Sequence, residues 1–235
     1  QTLLPFFKGE SDDIAYCIQQ TYWSGLDLIP SNLQLYELEL KASQDMVSID
    51  AAYQENLFQD LLVGINSVKD NYDIVVMDSP PALGIISLNI LCAADALIVP
   101  TPPAVYEFSS TVQYFRMIQN VLEIISPKKE YKFIKILATD VCQNQTNHRE
   151  LLPILEEVFG KHMMQAYFYH TSEIGNAAID FQTALEVRRP QKRALQIINN
   201  VCREIEMEVW KTWPSKIKKL EEEGNIILTE ETTYA

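Results

Sequence analysis

The sequence predicts an α/β protein, a doubly wound, mostly parallel sheet flanked by helices. Three short apolar runs, Asp73–Met77, Ala96–Val99 and Lys132–Ala138, alternate with longer stretches whose apolar residues recur at helical spacing. Alternation of that kind builds βαβ units and therefore a parallel sheet. The runs are continuous rather than alternately polar, as expected of strands covered on both faces. Right-handed crossovers then restrict the topology to the doubly wound class.

Taken in order, residues 1–50 are uneven. Leu3, Leu4, Phe6 and Phe7 form an apolar opening segment, and an acidic turn follows at Glu10 to Asp13. "GLDLIPSN", Gly25 to Asn32, is strand-like and ends at Pro30, which has no donor for a central ladder. From Tyr53 to Asp70 the residues Leu57, Phe58, Leu61, Leu62, Ile65 and Val68 mark one face of a helix. After the Asp73–Met77 strand, Leu83–Ala93 reads as a helix, Ala96–Val99 as a strand, and Val105–Ile125 as a helix stopped by Ser126-Pro127. Lys132–Ala138 is the next strand, Arg149–Phe159 a helix closed by Gly160, and Met163–Tyr169 holds a weaker strand. Gln191–Trp210 carries Ala194, Ile197, Ile198, Val201, Ile205 and Val209 on one face of a long helix. The domain thus spans residues 1–211. Residues 212–235 form a tail with a lysine cluster and an acidic run. No segment repeats another.

With 235 residues, 47% of them apolar, the chain can bury a full core without staples. Its four cysteines, Cys17, Cys92, Cys142 and Cys202, lack both C-x-x-C spacing and the density of a secreted disulfide scaffold. They read as reduced thiols of a cytoplasmic protein. No run of about 18 apolar residues offers a membrane span, so no membrane partner is expected. The sequon at Asn144 is then a polar loop. A formal net charge of -13 argues against coating nucleic acid through the overall field, but leaves room for a local basic patch.

The stretch "YDIVVMDSPPALGI", Tyr72 to Ile85, carries the chemistry. Ligands of open parallel sheets bind beyond the carboxyl ends of the strands, where Asp78 falls. A carboxylate at a strand end is ordinarily a loop residue or a helix N-cap. Here Ser79-Pro80-Pro81 forbids direct passage into a helix, and Gly84 offers a close backbone approach. A carboxylate at the end of an apolar strand is also what an NTPase uses to hold a Mg²⁺-bound water beside phosphates.

The segment "YDIVVMDSPPALGIISLNILCAADALIVPTPPAVYEFSS" resembles the Walker B and switch II region of the ParA-type partition ATPases, the deviant Walker P-loop group that includes MinD. The likeness takes in "YWSGLDLIPSN" before it and "HTSEIGNAAIDFQTALEVRRPQKRALQIINNVCREIE" after it, and is nearest to the ParA or RepA proteins of plasmid partition operons. It implies that Asp78 holds a Mg²⁺ ion through water. It further implies that Ser79, Pro80, Pro81 and Gly84 form the switch that senses the γ-phosphate. Thr139 and Asp140 fall where the family's nucleotide-base pocket begins, and Tyr169 to Ser172 match the loop that flanks it. The implied cofactors are ATP and Mg²⁺. The implied partners are a second copy in an ATP-dependent homodimer, a ParB-like centromere-binding protein, and non-specific DNA of the bacterial nucleoid.

Family members also need a glycine-rich loop that cradles phosphates. None of the seven glycines fits G-x-x-x-x-G-K-S/T; at Gly160-Lys161, Leu155 stands in place of the first glycine and His162 in place of the hydroxyl. Two explanations are open: a chain that is part of a longer protein, which residue 1 being Gln favours, or a P-loop-less interaction protein of the same fold. The dense basic cluster Arg188, Arg189, Lys192 and Arg193 sits where a helix starts, an unfavourable place for cations. By resemblance these four are candidate DNA-phosphate contacts. His148, His162 and His170 share no metal-ligand spacing. Tyr106, Phe108, Tyr114 and Phe115 read as helix core, or alternatively as a partner surface.

Overall fold

The computed structural model describes residues 2–10, 13–36 and 58–214. The expected tail beyond residue 214 and the first turn of the Tyr53–Asp70 helix lie outside the described residues. The chain divides into two compact units, Gln1–Asp95 with Gln119–Glu130, and Ala96–Ile118 with Tyr131–Ala235.

In the first unit, helix α1 (Leu4–Phe7) and a 3-10 turn at Ile14–Cys17 lead into a small antiparallel pair, β1 (Gln19–Gln20) and β2 (Asp27–Leu28). Asp13 caps the turn by accepting the Ala15 amide at 2.8 Å. Gly25, at φ 78°, supplies the left-handed residue of the connecting loop. Two helices follow, α2 (Asp60–Val68) and α3 (Ile85–Ala93). Ile14, Leu61, Val68 and Ala93 form the buried centre, as the helical spacing predicts. Gly64 is required for packing rather than for its backbone angles: a Cβ there would meet Phe6 Cζ at 2.7 Å. Helix α3 is apolar all round except for Ser87 and Asn89, both buried and both hydrogen-bonded.

In the second unit, β3 (Leu97–Thr101) and β4 (Ile134–Ala138) pair in parallel, with Leu97 opposite Ile134 and Thr101 opposite Ala138. The expected weaker strand runs along β4 as two parallel bridges, Ile136 with Met163 and Val141 with Tyr169. The helices are α4 (Val105–Ile125), of which the part up to Ile118 belongs to this unit, α5 (Thr146–Phe159), α6 (Glu173–Ile179) and α7 (Lys192–Thr212). Phe108 and Phe115 of α4 and Leu155 of α5 pack with Ile136 and Ala138. Val201 and Ile205 of α7 pack with Leu137 on the other face, which gives a parallel sheet flanked by helices. Gly160 closes α5 at φ 49°, as the sequence predicts. Of the aromatic stripe, Phe108 and Phe115 are core while Tyr106 is 85% exposed.

One expected element differs. Asp73–Met77 is extended but unpaired, and Ile74, Val75 and Val76 are exposed. An interior strand exists only with hydrogen-bonded neighbours, and the described strands of this unit pair with each other. No helix of the described residues is long and apolar enough to cross a membrane.

Candidate functional site

The extended run ends with Met77 in the apolar core and Asp78 exposed. Asp78, Ser79, Pro80 and Pro81 form one edge of a cavity of about 1130 Å³ whose walls include Leu28, Ile29, Val75 and Ile86. Among the described residues no hydrogen bond or ion pair engages the Asp78 carboxylate, so it is free to accept from a ligand or from metal-bound water.

The loop that follows is fastened by one buried hydroxyl. Ser87 of α3 donates to the Ala82 carbonyl at 2.5 Å, and its oxygen lies 3.4 Å from the Ser79 hydroxyl. The Gly84 amide also donates to Ala82, at 3.0 Å. Two prolines have no N–H, so the loop carbonyls are gathered from below by α3 and the outer edge stays open. Gly84, at φ -110°, is extended backbone and serves as the N-cap of α3.

Around this site, Tyr72 donates its hydroxyl to Asp27 Oδ2 at 2.7 Å and ties the extended run to the β1–β2 hairpin. That bond raises the phenol above its ordinary pKa, with smaller contributions from burial and the Asp27 charge. Elsewhere in this unit, Lys129 donates to the Cys92 carbonyl at 2.7 Å. Burial lowers its ammonium pKa, partly opposed by the Asp95 and Cys92 charges.

The other predicted site residues belong to the second unit. The Thr139 amide donates to the Thr101 carbonyl at 3.2 Å, just past the end of β4. Asp140 stands at φ 53°, and its Oδ1 lies 2.5 Å from His170 Nδ1. The segments expected to flank one pocket, at Asp140 and at Tyr169 to Ser172, therefore do meet. With them comes Cys142, which the sequence does not single out as a ligand; one donor atom from each of Asp140, Cys142 and His170 lies within 4.8 Å of the others. Only the ladder brings these residues together, because 28 positions separate Cys142 from His170.

Arg188, Arg189, Lys192 and Arg193 are all exposed, and none has an ion-pair partner among the described residues. Lys192 and Arg193 open α7, whose N-cap Gln191 gives no side-chain cap. Their charges meet the positive end of the helix, so an external anion would relieve them. Ser87 and Asn89 are buried polar anchors that motif spacing does not mark, although two polar residues in the apolar "IISLNILCA" are the signal that could have found them.

The family described as AAA domain matches residues 1–131. Protein SopA of Escherichia coli K12 is 34% identical over 215 residues, covering 87% of this chain and 54% of SopA. Plasmid partition protein A of Escherichia coli is 26% identical over 144 residues, 59% of this chain and 33% of that protein. The chain thus spans about half the length, or less, of these curated relatives. Among solved structures, apo McdA of Cyanothece superposes with a TM-score of 0.68 at 18% identity, over 87% of this chain and 77% of McdA. A McdA–ATP complex superposes at 0.65 and 18% identity, over 86% of this chain and 75% of that one. These likenesses show a P-loop NTPase fold.

Proposed function

The chain belongs to the AAA domain family of ParA-type partition ATPases, and from that premise we propose that it is the metal- and γ-phosphate-sensing part of an ATPase that partitions plasmid or chromosomal DNA. The observation that carries the reading is the free Asp78 carboxylate at the cavity edge, followed by a proline-stiffened loop that hangs from the single Ser87 hydroxyl.

Asp78 would accept from a water on Mg²⁺, and the ion when bound neutralises charge on the phosphates of ATP. Ser79 to Gly84 would move with that carboxylate. Few bonds hold the loop's outer edge, so a γ-phosphate contact can bias its position against the Ser87 anchor. Thr139 and Asp140 would meet the nucleotide base. The McdA–ATP complex supports a nucleotide in this fold. The phosphates themselves need a glycine-rich cradle that the 235 residues do not include, so these residues supply the sensing half of the site.

In this account ATP binding joins two copies, and Arg188, Arg189, Lys192 and Arg193 then contact DNA phosphates without reading sequence. A ParB-like partner would stimulate hydrolysis and release the complex. The test is ATP hydrolysis by the protein of the full open reading frame, with and without duplex DNA and the partner encoded beside it. Stimulation by both supports the proposal, and no hydrolysis under any of these conditions overturns it. The missing G-x-x-x-x-G-K-S/T pattern favours a second reading, a non-catalytic interaction protein of the same fold. A start codon directly before Gln1 in the coding DNA would select that reading.

A further inference from the structure

We propose that Asp140, Cys142 and His170 form a binding site for a zinc-like divalent transition-metal ion, with one coordination position open to water. The proposal goes beyond the nucleotide reading and does not rest on it.

The backbone makes the cluster. Ile136 and Ala138 of β4 face the core beneath α4 and α5. Asp140 adopts φ 53°, and this left-handed residue breaks the alternation, so that Val141 returns to the same core, 2% exposed. Val141 is then locked on both sides: its amide donates to the Phe168 carbonyl at 3.1 Å, and its carbonyl accepts the His170 amide at 3.1 Å. Val141 and Tyr169 are bridge partners and both pack on that core. Their neighbours Asp140, Cys142 and His170 therefore project away from it together.

The donors suit one class of ion. A thiolate, an imidazole and a carboxylate are a borderline-soft set of the kind zinc takes, and three protein ligands plus water describe an open site. The side chains of His170 and Asp140 are 61% and 63% exposed, so an ion can reach them from solvent. Cys142 is half-buried, and its amide donates to Nδ1 of the buried His148 at 3.1 Å, which fixes its backbone. Asp140 Oδ1 and His170 Nδ1 already face each other at 2.5 Å. An ion entering there takes Nδ1 of a neutral imidazole that carries its proton on Nε2, and displaces the thiol proton of Cys142 to solvent.

Co²⁺ titration of the full chain, without nucleotide, tests this. One equivalent should produce thiolate-to-cobalt charge-transfer absorption that Zn²⁺ abolishes. Cys142→Ser should lose it, His170→Ala should weaken it at least about tenfold in apparent affinity, and Cys202→Ser should keep it. As a second measurement independent of variant folding, Zn²⁺ should protect Cys142 of the unaltered chain from alkylation while Cys202 stays reactive. Absence of charge-transfer absorption, its retention in Cys142→Ser, or equal alkylation of Cys142 with and without Zn²⁺ would overturn the proposal.

Discussion

Asn89 Oδ1 accepts the Leu61 amide at 3.2 Å, so a buried side chain of α3 satisfies one of the unpaired donors in the first turn of α2. Its Nδ2 donates back to the Ile85 carbonyl at 3.1 Å. Asn89→Leu keeps the branched shape but leaves the Leu61 amide buried and without this acceptor, and is expected to destabilise the chain by about 2–3 kcal/mol. Urea unfolding with an unchanged m-value checks it.

Gly64→Val should destabilise by about 1–3 kcal/mol, because its first side-chain atom would already lie 2.7 Å from the Phe6 ring that closes the core. Trimming the ring in Phe6→Leu should recover part of that loss. Thermal melts of the single and double variants measure the recovery, and strict additivity would show that the two sites do not meet.

The Tyr72–Asp27 bond predicts an alkaline signature. Since the bond holds the folded phenol above its unfolded pKa, the folded state binds more protons as that pKa is passed. Its stabilisation is fully present below the ordinary tyrosine pKa and is lost as pH rises through the higher folded value. Tyr72→Phe should be less stable than the unaltered chain at neutral pH, and the gap should close in strong alkali. Chemical denaturation at a series of pH values reads this difference.

Charge reversal at the start of α7 tests the proposed DNA contacts. Replacing Arg188, Arg189, Lys192 and Arg193 by Glu should weaken binding to any duplex sequence alike. The slope of log affinity against log salt should become shallower by about 0.9 for each DNA phosphate that is no longer neutralised. Fluorescence anisotropy with ATP present, using the full open reading frame, supplies both readings.

Much of the architecture is legible locally. The strand at Leu97–Thr101, the helix Val105–Ile125 and the strand Ile134–Ala138 follow from apolar runs and helical spacing. What escaped depends on partners distant in sequence. Asp73–Met77 has the composition of a buried strand, yet composition cannot supply the neighbours a ladder requires. The helix Glu173–Ile179 has one buried residue, Ala177, and therefore leaves no apolar stripe to read. Asp78 stands out because two prolines follow it, whereas Cys142 and His170 become neighbours only through the Val141–Tyr169 bridge.

Asp78→Asn in the full open reading frame decides whether Asp78 acts on Mg²⁺-bound ATP. The measurement is DNA- and partner-stimulated ATP hydrolysis, with circular dichroism to establish that the variant folds. Since Asp78 is exposed and makes no bond among the described residues, stability should be unchanged. A Mg²⁺-directing role for this carboxylate predicts a fall in hydrolysis of about 100-fold or more. A folded Asp78→Asn protein that hydrolyses ATP at the unaltered rate would contradict it.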